Sequence, residues 1–344
     1  MSYVTIRDVA RTAGVSPATV SRVLNGDDRV APDLRERVLA TVSSLGYRPN
    51  HQARNLRRQA TTVLGVIISD ITNPFFTSMV RGVEDAASEA GYSVVLANAD
   101  EDPEKELSYL EVAAAEQMAG VLVSPASHET RVDLLTDRNI PVVTVDRWLP
   151  AVELDRVTVD NHRAAKDATL HLAEQGCRRI GLVAGRPGTT TGSSRLAGYK
   201  AGLEQAGLPL DENLIVSGGF RIEGGREATR RLLNLPHPPD GLFVANNLMT
   251  IGTIDTLDEA GLRYPDDIAL VGFDDMAPIL GLRSAITTVR QPTYEIGRRA
   301  TDLLLRRVRG EDFPSRHIVL QAELTVRQSS QRGGKDAAAE PPPA

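Results

Sequence analysis

Eight short apolar runs, each separated from the next by a stretch of helical periodicity, constrain this chain more than any other feature. They cover residues 63–68, 93–97, 120–123, 141–145, 179–184, 214–217, 241–245 and 268–272. Runs this short that are apolar throughout, without alternation, read as strands of a parallel sheet covered on both faces. The intervening helices are expected near 75–90, 103–118, 129–138, 193–206, 223–234 and 247–260, with another capped by Asn161 and ended by Gly176. Gly91 stops the first of them. The series divides near residue 160 into two α/β lobes of similar size, each a doubly wound sheet. A last helix over 292–309 should return to the first lobe. The first lobe is then about 61–160 plus 290–325, and the second about 161–289. Doubly wound sheets bind ligands beyond the carboxyl ends of their strands, so a ligand crevice is expected where the lobes face each other.

The first 60 residues have another texture. Thr5 to Asn25 reads as helix, tight turn, helix. Thr5 can cap the first helix, and Asp8 three residues on completes a capping box. Val9, Ala10 and Ala13 fall on one helical face. Gly14 suits the sharp turn, because a Cβ resists positive φ. Ser16 can cap a second helix, and Pro17 fits its first position, where no backbone N–H is needed. Val20, Val23 and Leu24 form the buried stripe of that helix. Pro17, Ala18, Thr19, Ser21, Arg22 and Asn25 are left outside. A third helix opens at Pro32, buries Val38, Val42 and Leu45, and closes at Gly46. Residues 1–46 thus make a helix-turn-helix domain whose second helix can enter the major groove of DNA. Residues 47–60 form a linker in which Pro49 and Asn50 can start a short helix, marginal on its own. Its four arginines suit phosphates.

Charge divides along the same boundary. Residues 1–60 carry ten Arg, no Lys and five acidic side chains, about +5, whereas the whole chain is −6. The remainder is therefore about −11: a basic head on an acidic body, the balance expected of a DNA reader with a sensor. Apolar residues at 41% and charged residues at 24% are those of a soluble globular protein. No apolar run approaches the roughly 20 residues of a membrane helix, and the N-terminus has no apolar leader core. A cytoplasmic, nucleoid-associated location is expected, with no membrane partner. The single Cys177 allows no internal disulfide or cysteine cluster and should be an inert thiol. The histidines lack zinc spacing. The Gly-rich stretch 185–192 lacks the Lys-Ser/Thr of a P-loop, and no G-x-S-x-G elbow occurs. No cofactor, metal or catalysis is expected. The tail 328–344, of Gly, Lys, Asp, Ala and Pro, should be disordered.

Several blocks add up to a family. They are Val15-Ser16, Ala18-Thr-Val-Ser-Arg-Val-Leu-Asn25, Leu45-Gly-Tyr-Arg-Pro-Asn50, Ala53-Arg-Asn-Leu56, Ser194-Arg-Leu-Ala-Gly-Tyr199, Ala245-Asn246, Val271-Gly-Phe-Asp274 and Thr287-Thr-Val-Arg-Gln-Pro292. In this order, from about residue 4 to 327, they closely resemble the lactose- and purine-repressor family of bacterial transcription regulators. The resemblance implies a homodimer on double-stranded operator DNA. Each protomer would have a helix-turn-helix head, a hinge helix that orders on DNA, and a two-lobed sensor like a periplasmic sugar-binding protein. Many relatives bind sugars as effectors.

It also implies site residues. Pro17, Ala18 and Arg22 would face base edges; Arg22 can donate two hydrogen bonds to guanine, while Pro17 and Ala18 offer only apolar contact. Thr5, Ser16, Thr19, Ser21 and Asn25 would hold phosphates and fix register. Leu56 matches the leucine that wedges into the minor groove at the operator centre. Ala53 is small enough to let two hinge helices approach, and Asn50, Arg54 and Arg57 would lie on the DNA. For the effector, residues at or just beyond strand ends are the candidates: Phe75, Phe76, Asp146 and Arg147 in the first lobe, and Thr191, Arg195, Phe220, Asn246 and Asp274 in the second. Phe220 can stack on a sugar or purine face, and Asp274 can accept from two hydroxyls with Arg195 and Asn246 around it. Asn247 stands where relatives often carry Asp. A sugar-binding module with no DNA role, and a regulator answering to a purine or phosphorylated sugar, stay open as alternatives.

Overall fold

The computed structural model describes residues 4–24, 30–45, 61–275 and 285–332. The chain falls into two compact units, Met1–Thr61 and Thr62–Ala344.

The first unit holds α1 (Ile6–Ala13), α2 (Pro17–Leu24) and α3 (Pro32–Ser44). The capping box forms as expected: the Thr5 backbone N–H donates to Asp8 Oδ2 at 3.0 Å, and the Asp8 N–H donates to Thr5 Oγ1 at 3.3 Å. Gly14 has φ +65° with open space around it, so the backbone turn and not crowding selects glycine there. Val9, Ala10, Ala13, Val20, Val23 and Val38 form the core, with Leu24, Val42 and Leu45 packed half-buried at its edge. Asn25, Gly46, Asn50, Ala53, Arg54, Leu56 and Arg57 lie outside the described residues.

The second unit contains two six-stranded sheets. One comprises β1 (Val63–Ile68), β2 (Ser93–Asn98), β3 (Gly120–Val123), β4 (Val142–Val145), β5 (Asp155–Val159) and β11 (His317–Leu320), in the order β11-β5-β4-β3-β1-β2 and parallel throughout. The other comprises β6 (Ile180–Ala184), β7 (Ile215–Ser217), β8 (Gly241–Val244), β9 (Ala269–Phe273), β10 (Thr287–Arg290) and β12 (Glu323–Thr325), in the order β12-β10-β9-β8-β6-β7; only the β10–β12 pair is antiparallel. The first lobe is covered by α4 (Pro74–Glu89), α5 (Pro103–Ala115), the short α6 (Asp133–Thr136) and α11 (Thr293–Val308), the second by α7 (Asn161–Glu174), α8 (Thr190–Gln205), α9 (Ile222–Leu233) and α10 (Asn247–Glu259). No helix among the described residues is long and apolar enough to cross a membrane.

All eight apolar runs form strands, and the last helix returns to pack on α4 of the first lobe. Four strands escaped the periodicity. β5 begins on the charged pair Asp155-Arg156, β10 is Thr-rich, β11 alternates exposed with half-buried positions, and β12 has one exposed and two half-buried positions. β11 and β12 are edge strands with one partner and little apolar cover, while β5 and β10 lie inside their sheets and are mostly buried, their Asp, Arg and Thr side chains masking the apolar run. β12 also corrects the expected boundary: residues 323–325 belong to the second sheet, not to the returning part of the first lobe. The chain therefore crosses between lobes after β5, after β10 and between β11 and β12.

Two further expectations are corrected. Asp160, not Asn161, caps α7, its Oδ1 accepting from Arg163 N at 2.9 Å; Asn161 is the first helical residue and buried. The tail does not begin at Gln328. Gln328–Ser330 form a 3-10 turn in which Ser329 and Ser330 are wholly buried. Ser329 Oγ donates to the Leu270 carbonyl at 2.7 Å and accepts from Thr287 N at 2.8 Å. Ser330 Oγ lies 2.7 Å from both His171 Nε2 and Thr287 Oγ1. These serines complete hydrogen bonds for β9 and β10 that composition could not reveal. Residues 333–344 lie outside the described residues.

Candidate functional site

The head presents one polar face of α2. Ser16 Oγ accepts from Thr19 N at 3.1 Å and lies 2.9 Å from Thr19 Oγ1, so the helix starts where Pro17 needs no N–H partner. Burying Val20 and Val23 turns Pro17, Ala18 and Arg22 to solvent, with Thr19 and Ser21 half-buried beside them. The α2 N-terminus and Arg22 thus share one exposed surface, suited to an acidic polymer.

The cleft forms where strands of both sheets end. Phe75 and Phe76 open α4 behind Asn73, whose side chain caps that helix through Phe75 N at 2.9 Å; the two rings pack edge to face at 5.0 Å. Asp146 and Arg147 follow β4. Thr191 and Arg195 lie in α8 after β6, Phe220 beyond β7, Asn246 after β8 and Asp274 after β9. All nine expected effector residues line one cleft between the lobes. Asp70, Asn73, Glu101 and Gln291 line it too and were missed. Asp70 and Gln291 each sit just past a strand, the signal that located the others; Glu101 is marked only by a turn.

Most of these side chains are held before any ligand arrives. Arg147 makes a two-pronged pair with Glu101, Nη1 to Oε2 at 2.7 Å and Nη2 to Oε1 at 2.5 Å, and its guanidinium lies 5.4 Å from the Phe220 ring centre. Arg195 donates from Nε to Asn161 Oδ1 at 2.7 Å and from Nη1 to the Ala245 carbonyl at 2.5 Å, stacked 3.7 Å over Phe273. Asn246 caps α10 through Met249 N at 2.9 Å and donates to the Phe220 carbonyl at 3.4 Å, so it anchors the wall as well as lining it. Gln291 Nε2 donates to Asp274 Oδ1 at 2.5 Å. Asp146, Phe220 and Asp274 all have left-handed backbones, with φ of 63°, 67° and 74°. Strain of this kind is retained where the surrounding structure dictates a side chain's aim. The Phe220 ring covers Gly185, where a Cβ would come within 2.3 Å of it.

Burial shapes the charges. It pushes the Asp146 carboxyl up to about 6, against the pull of Arg147 and Arg195. Burial likewise raises Asp274, with Arg195 and the Gln291 hydrogen bond acting the other way. Thr191 Oγ1 and Gln291 Oε1 are buried here without a hydrogen-bond partner. The free space among the lining side chains is only about 20 Å³, room for about one water. The lobes are thus closed on one another. Asn247 Nδ2 also bonds across them to Asn73 Oδ1 at 2.9 Å.

A model of bacterial regulatory proteins of the lacI family matches residues 5–50, and a periplasmic binding protein-like domain matches residues 169–330. Catabolite control protein A of Priestia megaterium is 37% identical over 329 residues, covering 95% of this chain and 99% of that protein. The chain belongs to the lacI family of bacterial regulatory proteins. Among solved structures of the family, the transcriptional regulator CelR in complex with cellobiose is 33% identical, with TM-score 0.73 over 95% of this chain and 99% of CelR. The lac repressor dimer bound to operator and the anti-inducer ONPF is 26% identical, with TM-score 0.85 over 96% of this chain and 99% of that one. Like its relatives, this family member is a DNA-binding transcriptional regulator whose two-sheet unit follows a helix-turn-helix head.

Proposed function

We propose that the chain acts in the cytoplasm as a homodimeric repressor of a pseudo-palindromic operator, controlled by an uncharged polyhydroxylated effector, a sugar, bound between the two lobes. Two heads related by a two-fold axis read half-sites of matching symmetry. Arg22, Pro17 and Ala18 read bases, and Thr5, Ser16, Thr19, Ser21 and Asn25 hold phosphates. The hinge residues Asn50, Ala53, Arg54 and Arg57 set Leu56 into the minor groove.

The observation that carries the effector class is the charge of the cleft. Four carboxylates line it, from Asp70, Glu101, Asp146 and Asp274, against two guanidiniums, Arg147 and Arg195. Both guanidiniums are already engaged, by Glu101 and by Asn161 and Ala245. A phosphate ester would find both guanidiniums of the cleft committed and would face the Asp146 and Asp274 carboxylates. Hydroxyls suit the site better: they can donate to the carboxylates and to Gln291 Oε1 and bond Thr191 Oγ1, while Phe75 and Phe220 cover an apolar ring face. The binding of cellobiose by CelR is in keeping with this class.

A thermal-shift panel of ribose, glucose, cellobiose, ribose 5-phosphate and guanine tests the class, because a binder of the folded state raises Tm. A neutral sugar should shift Tm, and Asp274→Ala should lose about tenfold or more in its affinity while still binding operator. A shift by ribose 5-phosphate or guanine alone refutes the sugar class. Full sugar affinity in Asp274→Ala refutes the cleft.

A further inference from the structure

We infer that Arg186 and Arg221 of the second lobe are positioning residues that clasp the turn Asp100-Glu101 of the first and hold the cleft closed over its effector. The inference rests on the effector cleft proposed above. The turn lies just beyond β2 and is built for presentation. Asp100 and Glu101 are consecutive non-glycine residues with φ of 57° and 59°. That pairing is costly for L-residues, and both carbonyls and the Asp100 carboxylate accept from arginines of the other lobe.

Arg221 spans three acceptor groups on two residues. Its Nη2 donates to Asp100 Oδ1 at 2.8 Å and to the Asp100 carbonyl at 2.7 Å, and its Nη1 to Asp70 Oδ2 at 3.1 Å. Asp70 is itself fixed, its other oxygen accepting from Thr72 N at 2.8 Å and Thr72 Oγ1 at 2.7 Å. Arg186 Nη1 donates to the Glu101 carbonyl and lies 3.6 Å from Glu101 Oε2. Neither arginine lines the cleft, yet both grip residues that do, Asp70 and Glu101. Glu101 is the shared element. It is buried, and it holds Arg147 of the ligand wall with the same carboxylate that faces Arg186.

A ligand that needs Asp146 and Arg147 from one lobe and Arg195 and Asp274 from the other is fully engaged only when the lobes meet. With about 20 Å³ free among these side chains, a sugar fits among them only when they move apart. Contacts that favour the closed arrangement therefore add to effector affinity without touching the effector. The arginine side chains are 34% and 41% exposed, so salt reaches the clasp as it does not reach the buried Arg147–Glu101 pair.

Lobe separation can be read in the full chain by electron–electron distance measurement between spin labels at Ser108→Cys in α5 and Glu204→Cys in α8, with labelled chain diluted into unlabelled. The native Cys177 is buried, with its thiol pushed up to about 11, and escapes labelling. The parent should show a short distance that lengthens with added NaCl. Arg186→Ala/Arg221→Ala should show the longer distances already at low salt, and Arg221→Lys should fall between. In the same proteins, the sugar of the panel that shifts parent Tm most should bind the double variant about tenfold more weakly at low salt, and the gap should shrink at high salt. A double variant with the parent's distances and salt response overturns the clasp. Loss of binding in Asp274→Ala alongside an unaffected double variant would overturn the clasp and keep the cleft. A panel with no binding sugar would overturn the sugar reading, while the distances still decide the clasp.

Discussion

Helix propensity and tertiary packing give opposite signs for Gly82→Ala. Gly82 lies within α4, and alanine is better than glycine in a helix interior by about 1 kcal/mol. Propensity alone therefore raises Tm. The structure opposes it. A Cβ on Gly82 would sit 2.1 Å from the Tyr294 carbonyl oxygen and 3.3 Å from Arg298 N, where ordinary contact begins at 3.4 Å. The approach is mutual, because a Cβ on Gly297 of α11 would sit 2.1 Å from the Met79 carbonyl oxygen. Neither obstacle is the end of a flexible side chain; both are backbone. To admit the methyl, the two helices must separate by about 1 Å and loosen Met79, Val83, Ile296 and Ala300 in the first-lobe core. Overpacking of this kind costs about 1–3 kcal/mol, and a backbone obstacle puts this site at the upper end. After the propensity gain, about 2 kcal/mol of destabilisation remains. For a unit of this size that is a drop in Tm of about 4–8 °C. Scanning calorimetry on the parent and on Gly82→Ala decides the matter. A Tm equal to or above the parent's would show that the crossing accommodates a methyl and that the argument from close approach is wrong.

Three other outcomes are expected. Asp146→Asn should respond to pH: the folded carboxyl titrates near 6 against an ordinary 3.8, so folding favours its protonated form, and its ionisation weakens the parent as pH rises through that window. The variant should thus melt higher than the parent above pH 6 by the equivalent of about 1–3 kcal/mol, converging below pH 4; a pH-independent difference between the two melting curves would refute this. Ser329→Ala leaves Thr287 N and the Leu270 carbonyl buried without their partner and should cost about 1–3 kcal/mol; an unchanged Tm would show that the 3-10 turn is not holding the β9–β10 edge. Leu56→Ala should weaken operator binding far more than binding to random DNA, because the hinge arginines still attract phosphates, and an equal loss on both DNAs in a titration would make Leu56 mere packing.

Local chemistry was legible in the chain. The capping box at Thr5 and Asp8, the left-handed Gly14 and the Ser16-Pro17 helix start are decided within four residues, and they stand as expected. Six of the eight apolar runs were readable because a strand covered on both faces must be apolar at every position; β2 and β7 are edge strands, and β2 keeps its run although Val95 and Leu96 are exposed. Once the strands were placed, the residues after their carboxyl ends became cleft candidates, which is why all nine expected side chains meet in one site. What the sequence could not decide was pairing between distant residues. Arg221 meets Asp70 across 151 positions and Arg147 meets Glu101 across 46. A surface charge and a cleft charge look alike until the fold brings their partners together. The same holds for Ser329 and Ser330, which read as the start of a polar tail and are buried because strands 59 and 43 residues upstream leave them a hydrogen-bonding place. Hydrogen-bond and charge partners are chosen by proximity in space, which the folding of each lobe supplies for Arg147 with Glu101 and for Ser329 and Ser330, and the meeting of the two lobes for Arg221 with Asp70.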